Sequence, residues 1–392
     1  MTMKLAIMAD DFTGANDIGV SFIKYGLNVV TLIENTKVNC DVKIISSESR
    51  NEEKDIAYSK VKKLFCELKE SGFDKFYKKI DSTLRGNIKE EIDAILEETD
   101  EIIAVVVGFP KMQREIINGR HYLENKPLLD SEFANDPAKP VIEDDLNKIL
   151  SNSELITLEE IRGDLQKRLG KIKSRLLIFD SETEDDLKEI ANKLVKLNLD
   201  NIIVGSAGIM QYLPEEWGIK KDKILVVSGS CSNKNIEQLE NFIKKYGLDL
   251  DIFNLDVFGR NEKILKKIGK SEKNILIRTL AKREEMNIIL KKSEENGIEQ
   301  KKATKLISDY VGDITTKVIK MKNIRKMILS GGEITYKIME RLNLKGLKIE
   351  EEIETGIPRT SSLDLEYSII TKPGGFGGNE IYIKAYENLQ KR

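Results

Sequence analysis

Short apolar runs recur along this 392-residue chain, and each runs into a cluster of polar turn residues before a helical pattern begins. Lys4 to Ala9 leads into Asp10-Asp11-Phe12-Thr13-Gly14, after which Ile18, Phe22 and Ile23 share one helical face. Val42 to Ser46 leads into Glu48-Ser49-Arg50, and Ile56, Val61, Leu64, Phe65 and Leu68 mark the helix beyond. Phe73 to Ile80 leads into Asp81-Ser82-Thr83-Leu84-Arg85-Gly86-Asn87. Ile102 to Val107, Arg175 to Phe179 and Asn201 to Val204 are further runs, the last ending in Gly205-Ser206-Ala207-Gly208. This alternation predicts the α/β class, with a mostly parallel sheet covered on both faces. Such sheets bind ligands outside the carboxyl ends of their strands. Pro110 to Pro140 has weak periodicity and is expected to run over the sheet as a lid or site wall.

The length suggests two or three domains at roughly 150 residues each. The pattern lapses from Pro214 to Lys223, around the single tryptophan Trp217, and a second set of runs follows. Ile224 to Val227 enters Ser228-Gly229-Ser230-Cys231-Ser232, Asn274 to Ile277 is another strand, and Lys326 to Leu329 enters Ser330-Gly331-Gly332-Glu333. A long helix is predicted around Gln300 to Lys322. We therefore expect two α/β domains, residues 1–222 and 223–392, each a mostly parallel sheet flanked by helices. The active site is expected in the cleft between them.

Charge and rare residues narrow the function. The 64 Lys+Arg and 66 Asp+Glu nearly cancel, so no net field points to nucleic acid or an anionic membrane, and a small molecule becomes the expected partner. The longest apolar run, Ile102 to Phe109, falls short of the roughly 20 residues that span a bilayer, and Met1 to Asp10 lacks a signal-peptide layout. Cys40, Cys66 and Cys231 are too few and too scattered for a disulfide framework, which fits a reducing, cytoplasmic compartment. With His121 the single histidine, catalysis has to rest on carboxylates, Lys, Arg, hydroxyls and backbone amides.

The C-terminal half collects turns at Ser228 to Ser232, Ser330 to Glu333 and Gly374 to Gly378, which read together as a nucleotide phosphate cradle built from backbone amides. Gly269-Lys270-Ser271 resembles the end of a P-loop, but Ile264 stands where its first glycine is needed. The N-terminal half concentrates Asp10, Asp11, Arg50, Lys79, Asp81 and Arg85 with the hydroxyls of Thr13, Ser82 and Thr83. A small polyhydroxy acid calls for that mixture, because Arg pairs bidentately with a carboxylate while Asp accepts from hydroxyls. A blander role for Arg85 is pairing with Glu90 on the next helix.

Ala9 to Ala15, Lys79 to Asn87, Ser228 to Ser232, Ser330 to Glu333 and Lys372-Pro373-Gly374-Gly375-Phe376-Gly377 together resemble the four-carbon acid sugar kinase family, in order and over nearly the whole chain. The resemblance implies an ATP- and Mg²⁺-dependent kinase acting on the terminal hydroxyl of D-threonate, D-erythronate or a 3-oxo-tetronate. It also implies an N-terminal sugar-acid domain and a C-terminal nucleotide domain. Asp10, Arg50, Lys79, Asp81, Ser82, Thr83 and Arg85 are then expected to line the acid pocket. Ser228, Ser230, Gly331, Gly332, Glu333, Gly374 and Gly375 are expected to hold ATP. Side chains alternate along an extended segment, so Asp10 and Asp11 are expected to point apart, with Asp10 on substrate hydroxyls and Asp11 as general base or Mg²⁺-side carboxylate. A catalytically silent sensor of the acid or nucleotide is the alternative, and a dinucleotide oxidoreductase is disfavoured by the missing glycine fingerprint. The stereochemistry of the acid and the oligomeric state, a homo-oligomer included, are left open by the sequence.

Overall fold

The computed structural model describes residues 4–230, 232–255, 262–279, 300–364 and 366–390, with positions 288, 291 and 295. The chain divides into two compact units, Met1–Lys221 and Asp222–Arg392.

The first unit carries strands β1 (Leu5–Ala9), β2 (Val29–Leu32), β3 (Val42–Ser46), β4 (Lys75–Lys79) and β5 (Ile103–Val106). Strands β6 (Arg114–Ile117), β7 (Arg120–Leu123), β8 (Lys126–Pro127), β9 (Glu154–Ile156), β10 (Leu176–Phe179) and β11 (Ile202–Gly205) follow. Eight of these form one sheet in the order β2-β3-β1-β4-β11-β5-β10-β9, and every pairing in it is parallel. Both faces are buried, and the period-two alternation of side chains assigns successive residues to opposite cores: Leu5, Ile7 and Ala9 to one, Ala6 and Met8 to the other. The expected excursion contains order that its periodicity did not show, an antiparallel sheet β6-β7-β8. Its first turn is Asn118-Gly119, both at positive φ, the two-residue hairpin turn whose twist matches its strands.

The second unit carries β12 (Ile224–Ser228), β13 (Leu250–Asn254), β14 (Asn274–Arg278), β15 (Lys326–Ser330), β16 (Leu347–Glu354), β17 (Ile357–Ser362) and β18 (Ser368–Lys372). They form one sheet, β13-β14-β12-β15-β18-β17-β16, parallel as far as β18 and antiparallel beyond. Helices Asn233–Tyr246 and Ile381–Gln390 supply one core, and helices Gln300–Lys322 and Gly332–Arg341 supply the other. Gly269 lies in the last turn of helix Glu262–Lys270, so the P-loop look-alike follows a helix instead of opening one. Among the described residues no helix is long and apolar enough to cross a membrane.

Candidate functional site

In the first unit the loops that carry the predicted residues leave the carboxyl ends of neighbouring strands. Ala9 of β1 is in register with Ser46 of β3 and Lys79 of β4, so the turns after these three strands emerge side by side. Asp10 is the first residue past β1, and its carbonyl accepts the backbone N–H groups of Ser49 and Arg50 at 3.0 and 3.2 Å. That docking delivers the Arg50 guanidinium onto the two aspartates. Nε and Nη2 donate to Asp10 at 2.7 and 3.0 Å, while Nη1 and Nη2 donate to Asp11 at 2.9 and 2.8 Å.

The expectation that Asp10 and Asp11 point apart is therefore corrected, since both carboxylates converge on one cation. Strand alternation ends at Ala9, and Asp11 is the N-cap of helix Phe12–Ile23, where it accepts from Gly14 N–H at 2.9 Å and Thr13 Oγ1 at 2.8 Å. With the Arg50 bonds, all four acceptor positions of Asp11 are occupied. Its side chain is 22% exposed, against 2% for Asp10 and 11% for Asp81.

Arg85 also meets acidic partners, though not Glu90. Its Nε donates to Asp81 at 2.7 Å and its Nη1 to Asp136 at 3.0 Å, while Glu90 pairs with Lys54. The planar guanidinium also lies over the Phe133 ring, 5.0 Å from its centroid. Burial would raise the Asp81 carboxyl, but the bonds from Arg85 and Thr83 and the Arg50 charge outweigh it and hold Asp81 well below the usual carboxylate range. Lys79 ends β4, is buried, and donates to the Ile80 carbonyl at 3.0 Å; burial lowers its pKa despite the attraction of Asp10 and Asp81. Ser82 accepts from Arg114 through its hydroxyl, and its carbonyl lies 2.8 Å from His121 Nε2. Burial pushes the His121 imidazole down to about 4, so it is neutral at physiological pH and its Nε2–H pins the Ser82 loop.

Two supporting residues, Lys78 and Glu91, gave no signal in the sequence, and a third, Asn87, stood there only as the end of the Lys79 to Asn87 motif. Lys78, fully buried, pairs at 2.7 Å with Glu91, which also accepts from Ser49 Oγ beside Arg50. Asn87 Nδ2 donates to the carbonyls of Ser49 and Glu52 and so holds the loop that carries Arg50. These residues lie on a strand and at or inside a helix, where a polar side chain reads as part of a solvated face.

In the second unit β12, β15 and β18 are adjacent, and Ser228, Ser330 and Lys372 are in register across them. The three small-residue turns therefore emerge together, as the cradle requires. Asn235, in the first turn of helix Asn233–Tyr246, ties them to one another. Its Nδ2 donates to Ser228 Oγ at 2.9 Å and the Ser230 carbonyl at 3.1 Å, while its Oδ1 accepts from Ser330 Oγ, Lys372 Nζ and Tyr382 OH at 3.0, 3.0 and 2.8 Å. Three residues on, Gln238 Nε2 donates to the carbonyls of Phe376, Gly377 and Gly378. A Cβ on Gly375 would stand 3.2 Å from Ser232 Oγ, so the last turn runs closely against the first. Gly331 has φ 109°, a conformation that favours glycine, and precedes helix Gly332–Arg341, whose N-terminus no side chain caps. Glu333 accepts from Ser308 Oγ at 3.1 Å. Burial, reinforced by the Lys234 charge, brings the Lys372 ammonium down to about 8. Cys231 lies outside the described residues.

Paired charges at the strand ends of one unit suit a polar small molecule, and small-residue turns around a buried lysine in the other suit a phosphate-bearing one. Family models agree: one described as a sugar-binding N-terminal domain matches residues 5–213, and one described as a nucleotide-binding C-terminal domain matches residues 225–381. The chain belongs to the four-carbon acid sugar kinase family. It is similar to a D-threonate kinase of Salmonella typhimurium, at 28% identity over 99% of both chains. It is 25% identical to a 3-oxo-tetronate kinase of Haemophilus influenzae, over 96% of this chain and 98% of that one. A D-erythronate kinase of Heliobacterium modesticaldum matches at 24%, over 89% and 88%. The fold is shared with a domain of unknown function from Bordetella bronchiseptica, solved with bound citrate as a domain-swapped dimer. That likeness has a TM-score of 0.59 and 22% identity, covering 100% of this chain and 99% of that one.

Proposed function

We propose that this chain transfers the terminal phosphoryl group of ATP to the terminal hydroxyl of a four-carbon sugar acid. The observation that carries the reading is the register of Ser228, Ser330 and Lys372, which gathers three amide-rich turns around a buried cation in a unit separate from the Asp–Arg cluster. In this reading Ser228, Ser230, Gly331, Gly332, Gly374 and Gly375 surround the ATP phosphates, and the uncapped start of helix Gly332–Arg341 adds its free N–H groups. Mg²⁺ would neutralise charge on the transferring phosphates, held by their oxygens with Glu333 as the carboxylate of the cradle.

In the other unit Asp10, Asp81, Ser82 and Thr83 would meet the substrate hydroxyls, and Arg50, Lys79 and Arg85 would fix the carboxylates and the local charge. Asp11, the most exposed of the three carboxylates on Arg50, is proposed to take the hydroxyl proton, giving up an Arg50 bond to do so. The hydroxyl oxygen then bonds to phosphorus as the bond to ADP breaks. ATP supply and the free thiols of Cys40 and Cys66 support action in the cytoplasm.

A coupled assay with ATP, Mg²⁺ and D-threonate, D-erythronate, L-threonate and a 3-oxo-tetronate tests the reading, with turnover of at least one acid expected. Tight binding of an acid and of ATP without phosphorylated product would instead identify a sensor.

A further inference from the structure

We propose that Arg114, which opens β6 in the hairpin over the sheet, is the residue that grips the carboxylate of the substrate and selects acids over neutral sugars. The identity of the acid rests on the kinase reading above. The argument begins with the arginines that are already committed. Arg50 spends Nε, Nη1 and Nη2 on Asp10 and Asp11, and Arg85 spends Nε, Nη1 and Nη2 on Asp81 and Asp136. The charge of each is already matched by two protein carboxylates, so a substrate carboxylate arriving at either would compete with them.

Arg114 is in a different position. It is half-buried, its Nη1 donates to Ser82 Oγ, its Nε is buried without a partner, and among the described residues no carboxylate lies within ion-pair distance. Burial is the main influence lowering its pKa, and the attraction of Asp81 is opposed by repulsion from Arg85. The partner-less Nε is sealed from solvent and marks the guanidinium as desolvated, while its Nη groups, of which Nη1 gives one N–H to Ser82, keep donors whose planar fork matches a carboxylate through two parallel bonds. Lys79 also lacks an ion pair among the described residues, but it is a single compact ammonium beneath Gly14 and offers no fork.

The hairpin is anchored where this role needs rigidity. Arg114 exchanges backbone bonds with Phe109, just past β5, and His121 on β7 fastens to the Ser82 carbonyl. The turn at Asn118 and Gly119 donates both N–H groups to Asp180, just past β10. Arg114 is thereby held beside the Asp81–Arg85 loop, among the residues proposed for the acid.

The test compares Arg114→Gln and Arg114→Lys with the wild-type enzyme on two substrates, a turned-over tetronate and its uncharged tetronamide. Calorimetry with the acid alone and with ATP alone accompanies the kinetics. We expect Arg114→Gln to lose about 30-fold or more in acid affinity and kcat/KM, the scale of an unpaired buried charge. Arg114→Lys should recover part of that loss. Use of the amide and ATP affinity should change by less than threefold, and the latter also reports an intact fold. Equal losses on acid and amide would reduce Arg114 to support for the Ser82 loop and overturn the proposal, as would an unchanged acid affinity. A wild-type protein that binds none of the acids overturns the kinase reading first and this proposal with it, and it is seen before any variant is made.

Discussion

In the proposed phosphate cradle Lys372 would supply a positive charge that its buried surroundings resist. Burial places its pKa near 8 in the free protein, and bound phosphates would raise it, because an adjacent anion favours the charged form. Nucleotide binding then takes up a proton at high pH. ATP affinity should be flat below pH 8 and weaken as pH rises through that value, by up to about tenfold per pH unit. A pH profile of the ATP KM checks this, and Lys372→Arg, charged throughout, should remove the inflection. For Asp11, replacement by Asn should lower kcat by about 10²- to 10⁴-fold and leave acid affinity nearly intact. A loss confined to acid affinity would move the base to Asp81. The grouping of Asp10, Arg50 and Arg85 was legible in the sequence because each stands in the polar turn that follows an apolar run, and in an open parallel sheet those turns emerge at one end. Asn235 and Gln238 were not, because three-residue spacing on a helix reads as an ordinary polar stripe until the turns it holds are seen.

At the scale of elements, the buried pair of Lys78 on β4 and Glu91 on helix Ile88–Leu96 joins the sheet to the loop beneath Arg50. Removing one partner leaves an uncompensated charge in the interior, so Glu91→Gln should cost about 3 to 5 kcal/mol in unfolding free energy by denaturant titration. Because the glutamine amide has a single oxygen to serve both Lys78 and Ser49, the loop beneath Arg50 is loosened as well, and the KM for the acid should rise more than that for ATP. The elements themselves show where sequence reading succeeds. β1, β3, β5 and β12 are buried on both faces and mostly apolar and announce themselves, whereas β2 and β13 are only partly buried and blend into their surroundings. The hairpin β6-β7 is too short for periodicity to reveal, and its Asn118-Gly119 turn was the available signal.

For the whole molecule, each unit owns its sheet and both of its cores, so each should fold alone. Separately expressed residues 1–221 and 222–392 are expected to show cooperative melting, the first stabilised by the acid and the second by ATP. Neither half should phosphorylate alone. A half that melts without cooperativity would show that the units depend on each other.

The strand order of the first unit also bears on how the chain is made. β11 pairs with both β4 and β5 at the middle of the sheet, yet it is the last strand of that unit to leave the ribosome. Until Ile202–Gly205 emerges, β4 and β5 each present a bare edge in the nascent chain, and the loops around Lys79 and Phe109 cannot be brought to their final spacing. Release of a chain truncated before β11 should therefore yield aggregate instead of a smaller acid-binding protein. Any pause in translation between residues 107 and 201 prolongs the interval in which a chaperone has to cover those two edges.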